Sequence, residues 1–288
     1  MKQLPQPRNI VLAHNGASSR HEYTRPPCGK TPLYSRDFYL TTSTALLQSS
    51  SRNLLINHSS ARQNQTKENS MSPTLNLHVD YLSQPSRALV LLCDAISAPH
   101  NEHLLSFTKG DHKKPEFLSI NPFGKVPAVQ EGDIHINESC AALRYIASKY
   151  DKSGQWYPKD LDIRVKVDEY LDWQHTNTRN HGVGYFYNKM LAPVITKKPV
   201  DEPLVNQHKE ALGQVEKHFV DYFLASKPFI VGDHMTIADL AAACEFEQPL
   251  AGGYDLSQPI RDYLKRVETA LGPHYQEVHK VLHDTMKQ

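Results

Sequence analysis

The nine residues VDYLSQPSR (79–87) lie where the sequence pattern changes from strand to helix. Within residues 75–79, apolar residues alternate with polar ones, which predicts a half-buried strand. The run 86–95, which is apolar from Ala88 to Cys93, predicts a short helix with much of its surface buried. Ser83 therefore lies where a strand ends and the positive end of a helix dipole begins, a position that stabilises anions, including a thiolate. The simpler interpretation is an ordinary N-cap, because serine is a preferred capping residue.

The following residues complete a small mixed sheet. A second strand is predicted at His103–Phe107, and the run 121–125 has the composition of a loop. Residues 128–136 have the pattern of a hairpin, with the turn at Glu131–Asp133. A helix follows from about Glu138 to Tyr150. The order strand, helix, strand, hairpin, helix predicts an α/β domain over residues 72–150.

The second half of the chain carries helical signals. A polar linker covers Asp151–Pro158, and apolar residues follow helical spacing from Leu161 onward. A longer amphipathic stripe runs from Leu204 to Phe223. Thr236–Asp239 has the form of a capping box, in which Asp239 stabilises the helix start. These patterns predict an all-helical domain over residues 157–288.

Composition narrows the range of functions. The chain has 288 residues and a formal net charge of +1, so it has no overall attraction to nucleic acid or to anionic membranes. No apolar run approaches the roughly 20 residues that a membrane span needs. The four cysteines have no paired metal spacing, and the sixteen histidines form no metal-like cluster. Three of the cysteines lie in apolar helical patterns, which predicts buried free thiols in a reducing compartment: Cys93, Cys140 and Cys244.

The first 71 residues differ from the rest. They are rich in proline, serine and threonine and show no sustained helical or strand period, so we expect a mostly disordered extension over 1–71. Their low acid content also occurs in transit peptides, which leaves mitochondrial targeting as an alternative to a cytoplasmic location. A simple tail or an artefactual upstream extension is the other interpretation. The folded protein is expected to start near Met71.

Several motifs together carry a family resemblance. They are SQPSR (83–87), KGDH (109–112), NPFGKVP (121–127), ES (138–139), and the run from WYP (156–158) to DEYLDWQHT (168–176). In this order and spacing, the chain resembles the cytosolic glutathione transferases, and among them the theta class. The resemblance implies a thioredoxin-like N-terminal domain followed by an all-helical C-terminal domain, usually in a homodimer. It has no counterpart for the extension 1–71.

The resemblance also implies a catalytic residue. Ser83 would donate a hydrogen bond to the sulfur of glutathione and so favour the thiolate. Tyr81 is the competitor, because other transferase classes use tyrosine for this purpose. Transferases of the omega type need a cysteine at this position, where this chain has no cysteine. This difference disfavours thiol–disulfide exchange.

The same resemblance implies a set of contacts to glutathione, namely Gln84, His112, Lys125, Val126, Glu138 and Ser139. Glu138 would pair with the γ-glutamyl ammonium, and Ser139 with the free helix N–H groups would hold the nearby carboxylate. Lys125 and His112 would address the glycyl carboxylate. Val126 would present its backbone beside a cis Pro127. First-turn capping and solvated loop charges are the alternatives for these residues.

The sequence says less about which residues contact the electrophile. Arg179, expected in the first helix of the second domain, would reach toward the thiol or the electrophile, or else be a solvated helix residue. Tyr185, Phe186 and Tyr187 supply aromatic surface that helix packing could equally use. His78 and His103 are expected on the strand surface rather than as ligands.

Two hypotheses about function remain. In the first, the protein conjugates glutathione, as a co-substrate, to small electrophiles, with glutathione-dependent peroxidase or dehalogenase activity as a possible addition. It then needs no permanently bound cofactor and no metal, and it has no nucleic-acid or membrane partner. In the second, it is a non-catalytic binding or assembly module on the same fold. Ser83, Lys125, Glu138 and Ser139 together favour the enzyme, because a binding-only relative would not need that set.

Overall fold

A four-stranded mixed sheet forms the first domain of the computed structural model, which describes residues 74–285. The strands lie in the order β2-β1-β3-β4. They are β1 (Leu75–Val79), β2 (His100–Leu104), β3 (Ala128–Glu131) and β4 (Ile134–Ile136). β1 pairs in parallel with β2 and antiparallel with β3, and β3 and β4 form the predicted hairpin. The predicted disordered extension, residues 1–71, lies outside the described residues.

Three helices and one 3₁₀ turn accompany the sheet. They are α1 (Gln84–Ala95), the 3₁₀ turn Asp111–Lys113, α2 (Pro115–Leu118) and α3 (Ser139–Tyr150). β1 was predicted to be half-buried, but it is covered on both faces. Leu75, Leu77 and Val79 belong to the main core, and His78 packs near Phe117 of α2 with ring centroids 6.2 Å apart. His78 is therefore buried, and the prediction that it lies on the surface is wrong.

The predicted position of the second strand is also wrong. The prediction was His103–Phe107, whereas β2 covers His100–Leu104. β2 is an edge strand whose residues are mostly exposed, so it has no apolar alternation from which to locate it. Its register comes from pairing with β1, where Leu77 lies opposite Glu102.

The second domain is helical. Its helices are α4 (Leu161–Trp173), α5 (Thr178–Phe186), α6 (Ala192–Thr196), α7 (Glu202–His218), α8 (Ile237–Ala251), α9 (Gln258–Leu271) and α10 (Pro273–Thr285). Two π-helical turns extend α5 and α7, at Tyr187–Leu191 and Phe219–Leu224. Arg179 lies in α5, the second helix of this domain, and not in the first as predicted. The chain leaves the helical path after Gln174, because Asn177 has φ −118° and ψ −93°.

α8 is the central helix of the second domain, and all of its residues from Ile237 to Pro249 are buried. It begins with the predicted capping box, in which Thr236 and Asp239 exchange hydrogen bonds. α8 also packs against α1 of the first domain. There the fully buried Arg87 donates to the carbonyl oxygens of Tyr81 (2.7 Å) and Cys244 (3.1 Å) and so joins the two domains.

The described structure bears on two further predictions. Cys93, Cys140 and Cys244 are buried free thiols, as predicted, while Cys28 lies outside the described residues. Between residues 74 and 285, no helix is both long and apolar enough to cross a membrane. The thioredoxin-like domain followed by a helical domain confirms the predicted fold class.

Candidate active site

Ser83 occupies the bend between β1 and α1. Its backbone is extended (φ −88°, ψ 119°), and its carbonyl oxygen accepts from the N–H of Arg87 at 3.1 Å, so it is the N-cap residue of α1. Its hydroxyl, however, makes no capping hydrogen bond. The side chain is 6% exposed and lies beside the first-turn N–H groups of the helix. Ser83 thus caps α1 through its backbone and leaves its hydroxyl for another partner.

The bend is held by Asp80, a residue that the sequence motifs did not indicate. Its two carboxylate oxygens accept from the N–H groups of Leu82 (2.9 Å) and Phe107 (2.7 Å), and its carbonyl oxygen accepts from the N–H of Ser83 (2.9 Å). An aspartate two residues before a bound N–H is a common turn signal. Asp80 therefore orients the segment that carries Ser83.

Tyr81, the competing candidate, uses its hydroxyl elsewhere. Its phenol donates to the carboxylate of Glu102 on β2 at 2.5 Å. Burial and this contact raise the pKa of Tyr81 well above its ordinary value. A phenol held by a carboxylate is a poor donor to a second anion, because the two negative groups would compete for one proton.

The N-terminus of α3 lies open. Glu138 is its N-cap residue, is exposed, and makes no capping hydrogen bond with its side chain. Ser139 is buried, and its hydroxyl lies 3.5 Å from a terminal guanidinium nitrogen (Nη2) of Arg179. The predicted pair of acid and hydroxyl thus stands beside the helix N–H groups of the first turn. This arrangement suits a ligand end that carries both an ammonium and a carboxylate.

A buried asparagine shapes the loop before β3. Asn121 donates to the carbonyl oxygen of Lys125 at 2.6 Å and accepts from the N–H of Phe123 at 3.0 Å. The Val126–Pro127 peptide bond is cis, as predicted. The side chain of Lys125 is exposed, and Val126 is buried. The loop therefore exposes a cation next to the backbone of Val126.

His112 lies against this loop. A Cβ atom on Gly124, which has φ +59°, would stand 3.1 Å from the carbonyl oxygen of His112, so the glycine allows the two segments to touch. The His112 ring packs on Phe107 with centroids 5.0 Å apart. Its Nδ1 atom is buried and has no hydrogen-bond partner in the described part of the chain. The backbone of His112 thus lies against the loop that carries Lys125.

Gln84 is turned toward the second domain. It is buried, and its side-chain amide nitrogen donates to the carboxylate of Glu245 on α8 at 2.9 Å. A contact between Gln84 and glutathione is therefore limited to the other atoms of this residue. Because Gln84 directly follows Ser83, its bond to Glu245 also ties the first turn of α1 to α8.

Arg179 is a partly buried ion-pair partner whose side chain is 22% exposed, so the alternative of a solvated helix residue is wrong. Its Nε atom donates to Glu245 at 2.8 Å, while its Nη1 atom lies 3.4 Å from Nδ1 of His175. Burial by itself lowers the pKa of Arg179, but the charge of Glu245 more than compensates, so that pKa is raised. Burial and the Arg179 charge lower the pKa of His175, which favours its neutral form. Arg179 thus remains charged beside Ser139.

Glu245 joins the predicted residues Gln84 and Arg179, and it was not among the residues predicted from the sequence. It lies within the apolar run AAACEFEQ (241–248), where an acid is unexpected, and that was the available signal. Two of the aromatic residues follow the helix-packing alternative considered from the sequence. Tyr185 and Phe186 are buried in helix packing, and Tyr187 is 40% exposed.

Metal ligands do not cluster in this region. Among residues 74–285, no group of three or more His, Cys, Asp or Glu side chains is arranged to hold a metal ion. The candidate binding groups are one hydroxyl at the start of α1, an acid and a hydroxyl at the start of α3, and a cation in the loop before β3. Together they suit an extended ligand with charges at both ends.

Comparison with known proteins agrees with this geometry. The family models for the glutathione S-transferase N-terminal and C-terminal domains match residues 79–148 and 185–271. Human glutathione S-transferase theta-1 is 35% identical over 212 residues, which cover 72% of this chain and 88% of the relative.

Two solved structures are also similar. The apo form of human glutathione S-transferase T1-1 has a TM-score of 0.72 at 34% identity, covering 74% of this chain and 91% of that one. Human glutathione transferase theta-2, in complex with glutathione and an unknown ligand, has a TM-score of 0.71 at 36% identity. That match covers 74% of this chain and 89% of the theta-2 chain.

Proposed function

The chain belongs to the theta class of the glutathione S-transferases, and we propose that its Ser83 hydroxyl donates a hydrogen bond to the glutathione thiolate. It is a glutathione S-transferase, and glutathione is its co-substrate. The proposal concerns how the sulfur is activated and which electrophiles it attacks.

The chemical difficulty is the protonated thiol. Cysteine-type thiols have a pKa of about 8.5, so most of the sulfur is unreactive near neutral pH. A charge-assisted hydrogen bond contributes about 1.5–3 kcal/mol, and a helix N-terminus adds about 0.3–1 kcal/mol. Since one pKa unit corresponds to about 1.4 kcal/mol, these contributions lower the thiol pKa by about one to three pKa units. Ser83 therefore does not need to act as a base, because donating a hydrogen bond to the sulfur is enough.

One observation carries the proposal. The hydroxyl of Ser83 stands at the N-terminus of α1 without serving as its cap. The competing hydroxyl, that of Tyr81, is bound to Glu102. This difference supports Ser83 as the donor to sulfur.

We propose that the rest of glutathione binds along the loop before β3 and the start of α3. Glu138 pairs with the γ-glutamyl ammonium, and Ser139 holds the neighbouring carboxylate. Lys125 and His112 neutralise the glycyl carboxylate, while Val126 pairs with the peptide through its backbone. The side-chain oxygen of Gln84 contacts the peptide as well, because its amide nitrogen is held by Glu245.

We propose small electrophiles as the second substrate, such as alkyl halides, epoxides or organic hydroperoxides. In conjugation, the sulfur forms a bond to carbon, and the leaving group departs with its electron pair. In peroxide reduction, the same thiolate would attack the outer oxygen of the hydroperoxide, and the O–O bond would break to release an alkoxide that takes up a proton. A second glutathione would then react with the sulfenic acid to give glutathione disulfide and water. A solved structure of a human theta-class enzyme holds the glutathione conjugate of 1-menaphthyl sulfate, which supports conjugation as the main reaction. Arg179 was expected on the electrophile side, but its position 3.5 Å from the hydroxyl of Ser139 supports a role at the γ-glutamyl end of glutathione.

We also propose that the protein is a cytoplasmic homodimer with domains over residues 72–150 and 157–288. Membership of the family supports the dimer. Light scattering on the full chain should give twice the monomer mass, and a monomer would contradict the proposal. Imaging of the tagged full chain would distinguish a cytoplasmic from a mitochondrial location.

The test of the catalytic proposal compares the full-length wild type with Ser83→Ala, and Tyr81→Phe serves as the matched control. Calorimetry measures glutathione binding, ultraviolet absorbance measures bound thiolate, and an alkyl halide assay measures turnover. We expect all three proteins to bind glutathione. Thiolate and turnover should fall in Ser83→Ala and stay near the wild-type level in Tyr81→Phe.

Two outcomes would contradict the proposal. If Ser83→Ala matches the wild type in thiolate and rate, Ser83 is only the N-cap of α1. If the wild type binds glutathione but turns over no electrophile, the binding-module hypothesis replaces the enzyme.

A further inference from the structure

Glu245 is a carboxylate buried between three helices. It lies in the middle of α8, and its side chain is 1% exposed. One of its oxygens accepts from Arg179 of α5 at 2.8 Å, and the other accepts from Gln84 of α1 at 2.9 Å. A buried charge costs free energy unless it is paired and hydrogen-bonded, and Glu245 is both.

The two partners of Glu245 lead to the two ends of the candidate site. Gln84 is the first residue of α1 and directly follows Ser83. Arg179 reaches Ser139 at the start of α3 with its Nη2 atom, at 3.5 Å. The carboxylate of Glu245 therefore connects the N-termini of α1 and α3. The proposed function assigns the sulfur of glutathione to the first and its γ-glutamyl end to the second.

The packing of α5 on α8 makes this pairing possible. A Cβ atom on Gly182 would stand 3.2 Å from the carbonyl oxygen of Glu245 and 3.4 Å from the Pro249 ring. Arg179 lies three residues before Gly182 and hence on the same side of α5. The missing side chain at Gly182 thus lets α5 approach α8 closely enough for the guanidinium to meet the carboxylate.

We infer that Glu245 is a positioning residue for glutathione binding, holding Gln84 and Arg179 in place at the two ends of the site. This inference rests on the proposed function of the site. It gives the helical domain a role in binding glutathione through Gln84 of the first domain and Arg179 of its own helix α5. Glu245 does not act on the sulfur directly, and it acts only through its two partners.

The variant Glu245→Gln keeps the shape of the side chain and removes its charge. A glutamine offers one acceptor oxygen, so only one of the two donors retains a partner. We expect the KM for glutathione to rise about tenfold or more, because losing one charge-assisted hydrogen bond displaces a residue that contacts the ligand. The KM for the alkyl halide should change much less.

The sign of this change separates positioning from two simpler effects. Removing a negative charge would by itself attract the anionic glutathione and lower its KM. A loss of folded protein would lower kcat and leave the KM unchanged, because the molecules that remain folded bind normally. Only displacement of the binding residues raises the KM for glutathione.

Glu216→Gln is the matched control. Glu216 is also a buried glutamate of the helical domain, but it accepts from the backbone N–H of Ser257 at 2.8 Å and has no contact with Gln84 or Arg179. We expect this variant to lose stability without any change in the KM for glutathione. Thermal unfolding of both variants shows whether their losses of stability are comparable.

Two further variants keep the test informative if Glu245→Gln folds poorly. Gly182→Ala pushes α5 away from α8 and should raise the KM for glutathione in the same direction. In a double-mutant cycle, adding Glu245→Gln to Arg179→Gln should raise the KM by less than it does in the wild-type background. Full additivity would show that Glu245 does not act through Arg179 and would overturn that part of the inference.

The inference and the proposed function fail in different ways. An unchanged or lowered KM in Glu245→Gln, with normal wild-type turnover and a loss of rate in Ser83→Ala, overturns only the role of Glu245. Wild-type protein that turns over no electrophile contradicts the proposed function instead. In that case, calorimetric binding of glutathione to the same variants still tests the positioning role.

Discussion

The N-termini of α1 and α8 begin with the same kind of residue and treat it differently. Thr236 caps α8 with its hydroxyl, which accepts from the N–H of Ala238 at 3.3 Å, and Asp239 completes the box. Ser83 stands at the same position of α1, yet its hydroxyl makes no capping bond. Side chains that accept from the first N–H groups of a helix stabilise that helix, as they do in α8. A hydroxyl at a helix N-terminus that makes no such bond is available to a ligand.

The two helices also differ at the third residue after the cap. In α8 this residue is Asp239, which accepts from the N–H groups of Thr236 (2.9 Å) and Ile230 (3.0 Å) and from the hydroxyl of Tyr263 (3.0 Å). In α1 the corresponding residue is Ser86, so no acid competes for the positive end of the helix. α1 therefore keeps its dipole available to an external anion, and α8 does not.

The largest expected effect is on stability at α8. Asp239→Ala leaves two backbone N–H groups and a phenol buried without their partner, so we expect the free energy of unfolding to fall by about 3 kcal/mol or more. Denaturant unfolding measures this loss. The KM for glutathione of the folded fraction should remain that of the wild type, and a changed KM would mean that the two helix starts are coupled.

The pH dependence of stability gives a second test of the role of Asp239 at the start of α8. Burial raises its pKa from 3.8 to about 6, although its hydrogen bonds oppose this. Because the folded-state pKa is the higher one, the stabilising contribution is fully present below about pH 4 and is lost as the pH rises to about 6. The stability difference between wild type and Asp239→Asn should therefore shrink over this range, by of order 2–3 kcal/mol. A difference that grows with pH would contradict this assignment.

The next largest effect is expected when the N-cap residues of α8 and α1 are replaced in turn. Thr236→Ala should lower the free energy of unfolding by about 1 kcal/mol, the usual cost of losing a cap. Ser83→Ala should change it by less than about 0.5 kcal/mol, because no capping bond is lost. Thermal unfolding of the two variants without glutathione checks this. Equal losses would mean that Ser83 caps α1 in solution, and the contrast between the two helices would disappear.

The smallest effect is expected at Tyr81. Tyr81→Phe removes one solvent-exposed hydrogen bond to Glu102, so we expect the free energy of unfolding to fall by only about 0.5 kcal/mol. Turnover of an alkyl halide should stay within about threefold of the wild type, a difference of under 1 kcal/mol in activation free energy. A much larger loss of rate would transfer the thiolate role from Ser83 to Tyr81.

Local patterns in the sequence located much of this fold. The strand β1, the hairpin at 128–136 and the capping box at Thr236 all depend on neighbours within a few residues, and the structure confirms them, although β1 is buried on both faces. β2 was misplaced because an exposed edge strand carries no such pattern. The helix of Arg179 was misassigned because the turn after Gln174 contains neither glycine nor proline.

The candidate site shows the same division. Ser83, Lys125, Glu138 and Ser139 were selected from short motifs, and the structure leaves the hydroxyl of Ser83 and the N-terminus of α3 open. Glu245 was missed because its partners lie far away in the chain, 66 residues distant for Arg179 and 161 for Gln84. Such pairings form only when helices that are distant in the chain pack together, and no local pattern of residues indicates them.

The sequence by itself determined the order of the four strands along the chain, the capped start of α8 and the segments that carry the candidate residues. These features arise from interactions between near neighbours in the chain. Only the tertiary structure decided that Tyr81 is bound to Glu102 while the hydroxyl of Ser83 serves no cap, and that Glu245 joins α1 to α5. The physical reason is that a hydroxyl or a buried charge takes the partner that packing brings within about 3 Å, and packing depends on the whole chain.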